Sequence, residues 1–163
     1  MKIGIIGALD IEVKSIIATM QKETVKKISG MDFYIGSLSG VSIVVVHCGV
    51  GKVNAAICTQ SMIMAFQPDV VINMGVAGGM GPDVRIGDLV IAQSLVQHDF
   101  SGLDLPKGQV DGLDVLLIPC SQWLIDSFCE VSAELDLKAY LGIIATGDQF
   151  IADSEVSSEL YAH

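Results

Sequence analysis

The chain has 163 residues, of which 51% are hydrophobic and 17% are charged. This length suits one domain with a substantial core, and no apolar run reaches the length that a bilayer requires without charges or glycines. The net charge of −10 argues against a nucleic-acid partner, because such proteins concentrate lysine and arginine. The chain also does not start with the basic and small-residue pattern of a secretory signal. We therefore expect a cytoplasmic protein with neither a nucleic-acid nor a membrane partner.

Strands and helices alternate along the first half of the chain. The turn at residues 39–41 is typical of a hairpin between two β-rich runs. The predicted strands are Lys2–Ile6, Asp32–Leu38, Ser42–Cys48 and Val70–Asn73, and the predicted helices run from about Asp10 to Met20, with Asp10 as the cap, and from about Gly51 to Phe66.

The same alternation continues after a loop rich in glycine, proline and aspartate at residues 101–114. The predicted strands of this half are Asp88–Ala92, Val115–Ile118 and Tyr140–Ala145. One predicted helix is capped by Ser121 and runs to about Asp136, and another begins at Ser154 with Glu155. Such a pattern predicts an α/β sandwich with a mostly parallel sheet, and we assign residues 1–163 to one domain.

No pattern in the sequence points to a metal site. The cysteines Cys48, Cys58, Cys120 and Cys129 form no CxxC pair and lie in apolar stretches, which favours buried free thiols. The histidines His47, His98 and His163 are scattered and suggest no ligand cluster.

Glu12 is the first candidate functional residue, because it follows a buried strand that stops at Gly7. Ligands of open α/β sheets bind in the crevice beyond the carboxyl ends of the strands. Glu12 is therefore a candidate base. A glutamate in the first turn of a helix also favours the helix dipole, so a purely structural role stays open.

Three glycine-bearing turns follow other strands. Residues 49–51 offer backbone N–H groups that suit an anion, although a tight packing turn is the alternative. Residues 75–79 carry little side chain, so their backbone can approach a flat ligand or a sugar; a mobile turn is the alternative. The third turn, at residues 145–151, follows the last strand and contains Phe150, which can stack on an aromatic ring or fill a core. We expect these strand exits to converge on one crevice.

The ordered set of motifs resembles the 5′-methylthioadenosine/S-adenosylhomocysteine nucleosidases of the nucleoside phosphorylase superfamily. The resemblance covers nearly the whole chain. It rests on residues 1–8 (MKIGIIGA) with Glu12, 49–53 (GVGKV), 73–79 (NMGVAGG), 87–90 (GDLV) and 146–151 (TGDQFI). It implies a three-layer sandwich with a mixed, mostly parallel central sheet.

The resemblance implies hydrolysis of the N-glycosidic bond between adenine and a 5′-thio-substituted ribose, without metal or organic cofactor. The position of Glu12 then orients and deprotonates the water, and that of Leu9, a methionine in the family, lies at the pocket edge. Phe150 stacks on adenine and the backbone of Ile151 reads the adenine edge. The ribose side is lined by Val76, Ala77 and Gly78.

Two departures from the family pattern affect this expectation. Val76 stands where many members have a serine, so one polar contact near the water is missing. Members also continue for roughly one more strand and two helices, which hold a Glu-Met-Glu segment that binds the ribose hydroxyls and a Ser-Asp pair whose aspartate protonates adenine. Neither segment occurs in these 163 residues. We therefore expect an incomplete domain that lacks the last strand and helices.

The first prediction is that the 163-residue chain by itself shows little or no turnover. Loss of a general acid costs about 10²–10⁴ in rate, and loss of ribose positioning costs more. Incubation with 5′-methylthioadenosine, followed by measurement of adenine release, tests this expectation. Turnover in the ordinary enzyme range of about 1–10³ s⁻¹ would refute it.

We also expect a homodimer, since a missing strand and helix expose a sheet edge and an apolar face. Family members are homodimers, in which the loop matching roughly Leu95–Asp104 reaches toward the partner's pocket.

Three other functions stay open at this point. One is a nucleoside phosphorylase, although nine lysines and arginines are few for phosphate binding. Another is an adenine- or nucleoside-binding module without catalysis, and the third is a structural dimerisation partner. The phosphate dependence of base release and calorimetry with adenine separate these functions.

Overall fold

The computed structural model describes residues 1–102 and 104–162, and it divides into two compact units, residues 1–77 and 78–163. Two residues lie outside the described ones. Leu103 belongs to the predicted loop 101–114 and to the loop Leu95–Asp104, and His163 is one of the three scattered histidines of the sequence analysis. No helix among the described residues is long and apolar enough to cross a membrane.

The first unit contains one sheet and two helices. Its elements in chain order are β1 Lys2–Gly7, α1 Asp10–Thr19, β2 Gln21–Ile28, β3 Met31–Leu38, β4 Val41–His47, α2 Lys52–Phe66 and β5 Val70–Asn73. The five strands lie in the order β2-β3-β4-β1-β5. Strand β1 pairs in parallel with β4 and β5, whereas β3 pairs antiparallel with β2 and β4.

Both faces of this sheet are buried, because the apolar side chains of β4 alternate between them. Val44 and Val46 belong to a core cluster with Met62 of α2, and Val45 belongs to a second cluster with Val13 of α1. The first unit is thus layered helix, sheet, helix, and its central strands are apolar on both faces, as strands covered on both sides are.

The second unit contains a smaller sheet. Its elements are β6 Leu89–Gln97, β7 Ile118–Pro119, α3 Gln122–Glu134, β8 Ala139–Thr146 and α4 Ser154–Ala162. The three strands lie in the order β7-β6-β8, with β6 parallel to β8 and antiparallel to β7. The five predicted elements of this half are therefore present, but β6 extends five residues farther than predicted and β7 begins at the predicted last residue.

The predicted mixed sheet is present: the pairs β1–β4, β1–β5 and β6–β8 are parallel, and β2–β3, β3–β4 and β6–β7 are antiparallel. The structure differs from the sequence analysis at two other points. Asp10 is the first residue of α1 rather than its cap, which is Leu9. Strand β2 was not predicted at all.

Strand β2 escaped prediction because it is polar. Seven of its eight residues are exposed, and it lies at the end of the strand order, where charged residues protect a sheet edge. The overlooked signal was the turn before β3. Ser29 and Gly30 have φ values of 51° and 83°, close to those of Ser39 and Gly40 at 50° and 80° in the predicted hairpin. Two consecutive left-handed residues are typical of tight hairpin turns.

Candidate active site

The carboxylate of Glu12 is held by the start of its own helix. Glu12 is the third residue of α1, and its Oε2 accepts a hydrogen bond of 2.8 Å from the backbone N–H of Leu9. The backbone N–H of Glu12 donates in return to the Leu9 carbonyl at 3.1 Å. This reciprocal pair fixes the side chain just beyond the carboxyl end of β1, as the capping box does at other helix starts.

The second oxygen of the same carboxylate contacts the turn after β5. Oε1 of Glu12 accepts a hydrogen bond of 3.0 Å from the backbone N–H of Val76, which lies 64 residues later in the chain. Strands β1 and β5 are parallel neighbours, with Ile6 opposite Asn73, so their carboxyl ends meet at one edge of the sheet. The convergence that we predicted for these two strand exits is therefore present.

Gly75 makes this contact possible because it has no side chain. A Cβ atom at this position would lie 2.5 Å from Oε1 of Glu12 and 2.8 Å from its Cδ. Real Cβ atoms do not approach other heavy atoms so closely. Any larger residue would therefore move either the carboxylate or the turn.

The arrangement leaves Glu12 able to accept further hydrogen bonds. An ionised carboxylate has about four acceptor positions, and the two backbone donors use one on each oxygen. Glu12 is half-buried, whereas Val76 is 83% exposed and Ala77 is exposed beside it. A water or a hydroxyl group can therefore approach a carboxylate whose position is already fixed.

The other predicted site residues differ in their exposure and in the unit to which they belong. Leu9 is 40% exposed at the cap of α1. Gly78 belongs to the second unit, where it is exposed and a Cβ would meet no atom within 4 Å. Phe150 and Ile151 follow β8 in the second unit; Phe150 is 95% exposed and Ile151 is half-buried. Phe150 is thus not a core phenylalanine, and its ring is free to stack.

The turn at residues 49–51 is held by a hydrogen bond from a side chain. Nδ2 of Asn54 donates to the Val50 carbonyl at 2.7 Å, and a Cβ at Gly49 would lie 3.2 Å from the same nitrogen. These contacts support the packing role of this turn. Anion binding there stays a prediction.

The four cysteines are free thiols, of which Cys48 and Cys58 are buried as predicted, whereas Cys120 and Cys129 are only half-buried. Burial raises the pKa of the Cys58 thiol from 9.0 to about 12, and burial together with the nearby Glu12 charge raises the pKa of Cys48. Thiols with raised pKa values are poor nucleophiles and poor metal ligands. No group of three or more potential metal ligands occurs among residues 1–102 and 104–162.

An open cleft of about 300 Å³ lies beside α1, but it does not contain the predicted site residues. Its walls include Asp10, Tyr34, His47 and Cys48, and one of its carboxylates, Asp32, pairs with Lys27 at 3.4 Å. We therefore base the candidate site on the contacts of Glu12 rather than on this cleft.

Comparison with known proteins finds one family and a consistent set of relatives. The model of the phosphorylase superfamily matches residues 2–163. A 5′-methylthioadenosine/S-adenosylhomocysteine nucleosidase of Geobacillus thermodenitrificans is 41% identical over 156 residues, which cover 94% of this chain and 66% of that relative. The chain thus spans about two thirds of the length of the curated relatives that it matches.

Solved structures of this enzyme class have the same fold. The Helicobacter pylori protein, a mutant with 5′-methylthioadenosine in the active site, superimposes with a TM-score of 0.93 at 32% identity, covering 99% of this chain and 71% of that one. The Neisseria meningitidis nucleosidase in complex with methylthio-immucillin-A gives a TM-score of 0.95 at 30% identity, with the same coverage. These likenesses confirm the predicted fold class.

Proposed function

The chain belongs to the phosphorylase superfamily, within which it groups with the 5′-methylthioadenosine/S-adenosylhomocysteine nucleosidases, and from this we propose that it binds these nucleosides for N-glycosidic hydrolysis. In that reaction the oxygen of water bonds to C1′ of the ribose, and the bond from C1′ to adenine breaks through an oxocarbenium-like state. Adenine leaves with the bonding electron pair and takes up one proton, which balances the proton that the water loses. The small-molecule partner is thus an adenine nucleoside.

The observation that carries this proposal is the doubly anchored carboxylate of Glu12. A base that takes a proton from water must be fixed within hydrogen-bond reach of that water. Leu9 and Val76 fix it through their backbone N–H groups, at 2.8 Å and 3.0 Å. We assign Glu12 as the base, Leu9 to the edge of the pocket, and Val76, Ala77 and Gly78 to the ribose side.

We assign adenine recognition to Phe150 and Ile151. The ring of Phe150 is almost fully exposed, so stacking on a purine costs no rearrangement of a core. The backbone of Ile151 supplies the polar groups that read the adenine edge, as the family resemblance implies. We assign no residue of the chain to protonation of the leaving adenine.

A second prediction tests the adenine assignment. Stacking on an aromatic side chain contributes about 1–3 kcal/mol per base, so Phe150→Ala weakens adenine binding by about 5- to 150-fold. Calorimetric titration with adenine measures the change. Phe128→Ala is the matched control, because Phe128 is also an exposed aromatic residue of the second unit, at 41%. Equal affinities of Phe150→Ala and the unmodified chain would remove Phe150 from the site.

Phosphorolysis and binding without catalysis are the competing functions. The curated relatives are named as nucleosidases, which favours water over phosphate as the acceptor. Adenine release that requires added phosphate would establish phosphorolysis. Binding of 5′-methylthioadenosine without any release of adenine, even in long incubations, would establish a binding module.

We also propose a homodimer in the cytoplasm. Val53, Ile57 and Met64 are 69%, 45% and 72% exposed, and their spacing puts them on one side of α2. Exposed apolar side chains on one helix face are typical of an interface, and a second copy of the chain is the occupant that the family resemblance implies.

The third prediction follows from this interface. Sizing chromatography with light scattering gives twice the mass of one chain, and Met64→Asp gives single chains, because a buried unpaired carboxylate is costly. Val25→Asp, at an apolar residue of β2 that is 49% exposed, leaves the dimer intact. A well-behaved monomer of the unmodified chain would contradict the proposal.

A further inference from the structure

The carboxylate of Asp99 anchors the loop that carries Phe150 and Ile151. Oδ2 of Asp99 accepts a hydrogen bond of 2.7 Å from the backbone N–H of Asp148, across 49 residues of sequence. A bond of this length to a carboxylate is a charge-assisted one, about twice as strong as a bond between neutral groups. Because Asp148 lies two residues before Phe150, the bond fixes the backbone where this loop begins.

The segments around this bond are tightly packed. The backbone N–H of His98 donates to the Thr146 carbonyl at 3.0 Å, so the pairing of β6 with β8 continues up to the bond. A Cβ at Gly147 would lie 2.8 Å from Cγ of Asp99 and closer still to the His98 ring. Gly147 therefore lets the Asp99 segment contact the loop directly, and both contacts lie within the second unit.

We propose that Asp99 is a positioning residue for adenine recognition, which rests on the function proposed above for Phe150 and Ile151. Asp99 contacts no substrate in this role. It holds the Asp148 N–H, and the loop from Gly147 to Ile151 then presents the ring and the backbone groups in one conformation before the ligand arrives. Such preorganisation lowers the entropy that binding must overcome.

Two measurements on the 163-residue chain test this role. Hydrogen exchange followed by NMR reports whether the Asp148 amide is protected, and calorimetry with adenine reports affinity. The variants are Asp99→Ala, which removes the acceptor, and Asp99→Asn, which keeps a neutral acceptor oxygen. The matched control is Asp88→Ala, because Oδ2 of Asp88 accepts an equivalent bond of 2.8 Å from the Arg85 backbone N–H in the same unit.

The proposal predicts a graded result. Asp99→Ala lowers both the protection of Asp148 and the affinity for adenine by about tenfold, and Asp99→Asn lies between this variant and the unmodified chain. Asp88→Ala loses protection at Arg85 and keeps the affinity for adenine. A merely structural role of Asp99 would instead make Asp88→Ala and Asp99→Ala equivalent in adenine binding once their thermal stabilities match.

Three outcomes would overturn the proposal or its premise. Unchanged protection of Asp148 in Asp99→Ala would show that the bond does not hold the loop. Lost protection with unchanged adenine affinity would show that the held conformation is irrelevant to binding. If the unmodified chain binds no adenine, the proposed function fails, while the exchange data still decide whether Asp99 holds the loop. Should Asp99→Ala not fold, the comparison of Asp99→Asn with Asp88→Asn decides the same questions.

Discussion

Glu12→Gln lowers the release of adenine from 5′-methylthioadenosine by about 10²–10⁴ relative to the residual rate of the unmodified chain. The amide of glutamine cannot take a proton from water. In the structure the backbone N–H groups of Leu9 and Val76 each donate to a different oxygen of the Glu12 carboxylate. Glutamine replaces one of these oxygens by an NH₂ group, which is itself a donor and cannot accept the bond. One of these hydrogen bonds is therefore lost together with the base.

The measurement is a single-turnover assay with protein in excess, which detects slow hydrolysis. Glu23→Gln is the matched control, since Glu23 is an exposed glutamate on β2 of the same unit. Its rate equals that of the unmodified chain. Equal rates for Glu12→Gln and Glu23→Gln would show that Glu12 is a structural cap of α1 and that the water is activated elsewhere.

Gly75→Ala produces a loss of similar size by moving Glu12 without changing its chemistry. The new Cβ overlaps the carboxylate at 2.5 Å from Oε1, so the side chain or the Val76 turn must shift. Crowding of this kind costs about 1–3 kcal/mol in stability, and a displacement of about 1 Å in a catalytic group costs about 10² in rate. The same single-turnover assay and a thermal melt record both effects.

Gly142→Ala is the control for this substitution. A Cβ at Gly142 would lie 3.8 Å from Cγ1 of Val90, an ordinary contact that needs no movement. This variant retains the rate of adenine release. A Gly75→Ala variant with unchanged rate and stability would show that Glu12 does not need the position that it has in the structure.

The sequence predicts an element where its apolar pattern is strong. The central strands of the first unit were found because their side chains are buried on both faces. Strand β2 has the opposite character, since it is exposed and charged, and only the Ser-Gly turn at residues 29–30 indicates it. The last five residues of β6 were missed because their pattern is mixed.

The sequence identified residues of the candidate site, but it did not predict most of the contacts that these residues make. Glu12 and the 75–79 turn were identified because each follows a buried strand. The prediction that Asp10 caps α1 was wrong, because the cap is Leu9. A leucine side chain has no hydrogen-bond acceptor, so the sequence did not indicate it; the bond from the Leu9 backbone N–H to Glu12 takes the place of a side-chain cap. Asp99 was missed altogether, since its bond to the Asp148 N–H joins positions 49 residues apart.

The account depends most on one claim, that a nucleoside binds beside the carboxylate of Glu12, at the turn whose Val76 N–H that carboxylate holds. NMR titration of the chain with 5′-methylthioadenosine, observed at the amide of Val76, tests it most directly. We predict that this amide shifts and saturates with the dissociation constant that calorimetry gives for the same ligand. A Val76 amide that does not shift at saturating ligand would contradict the account.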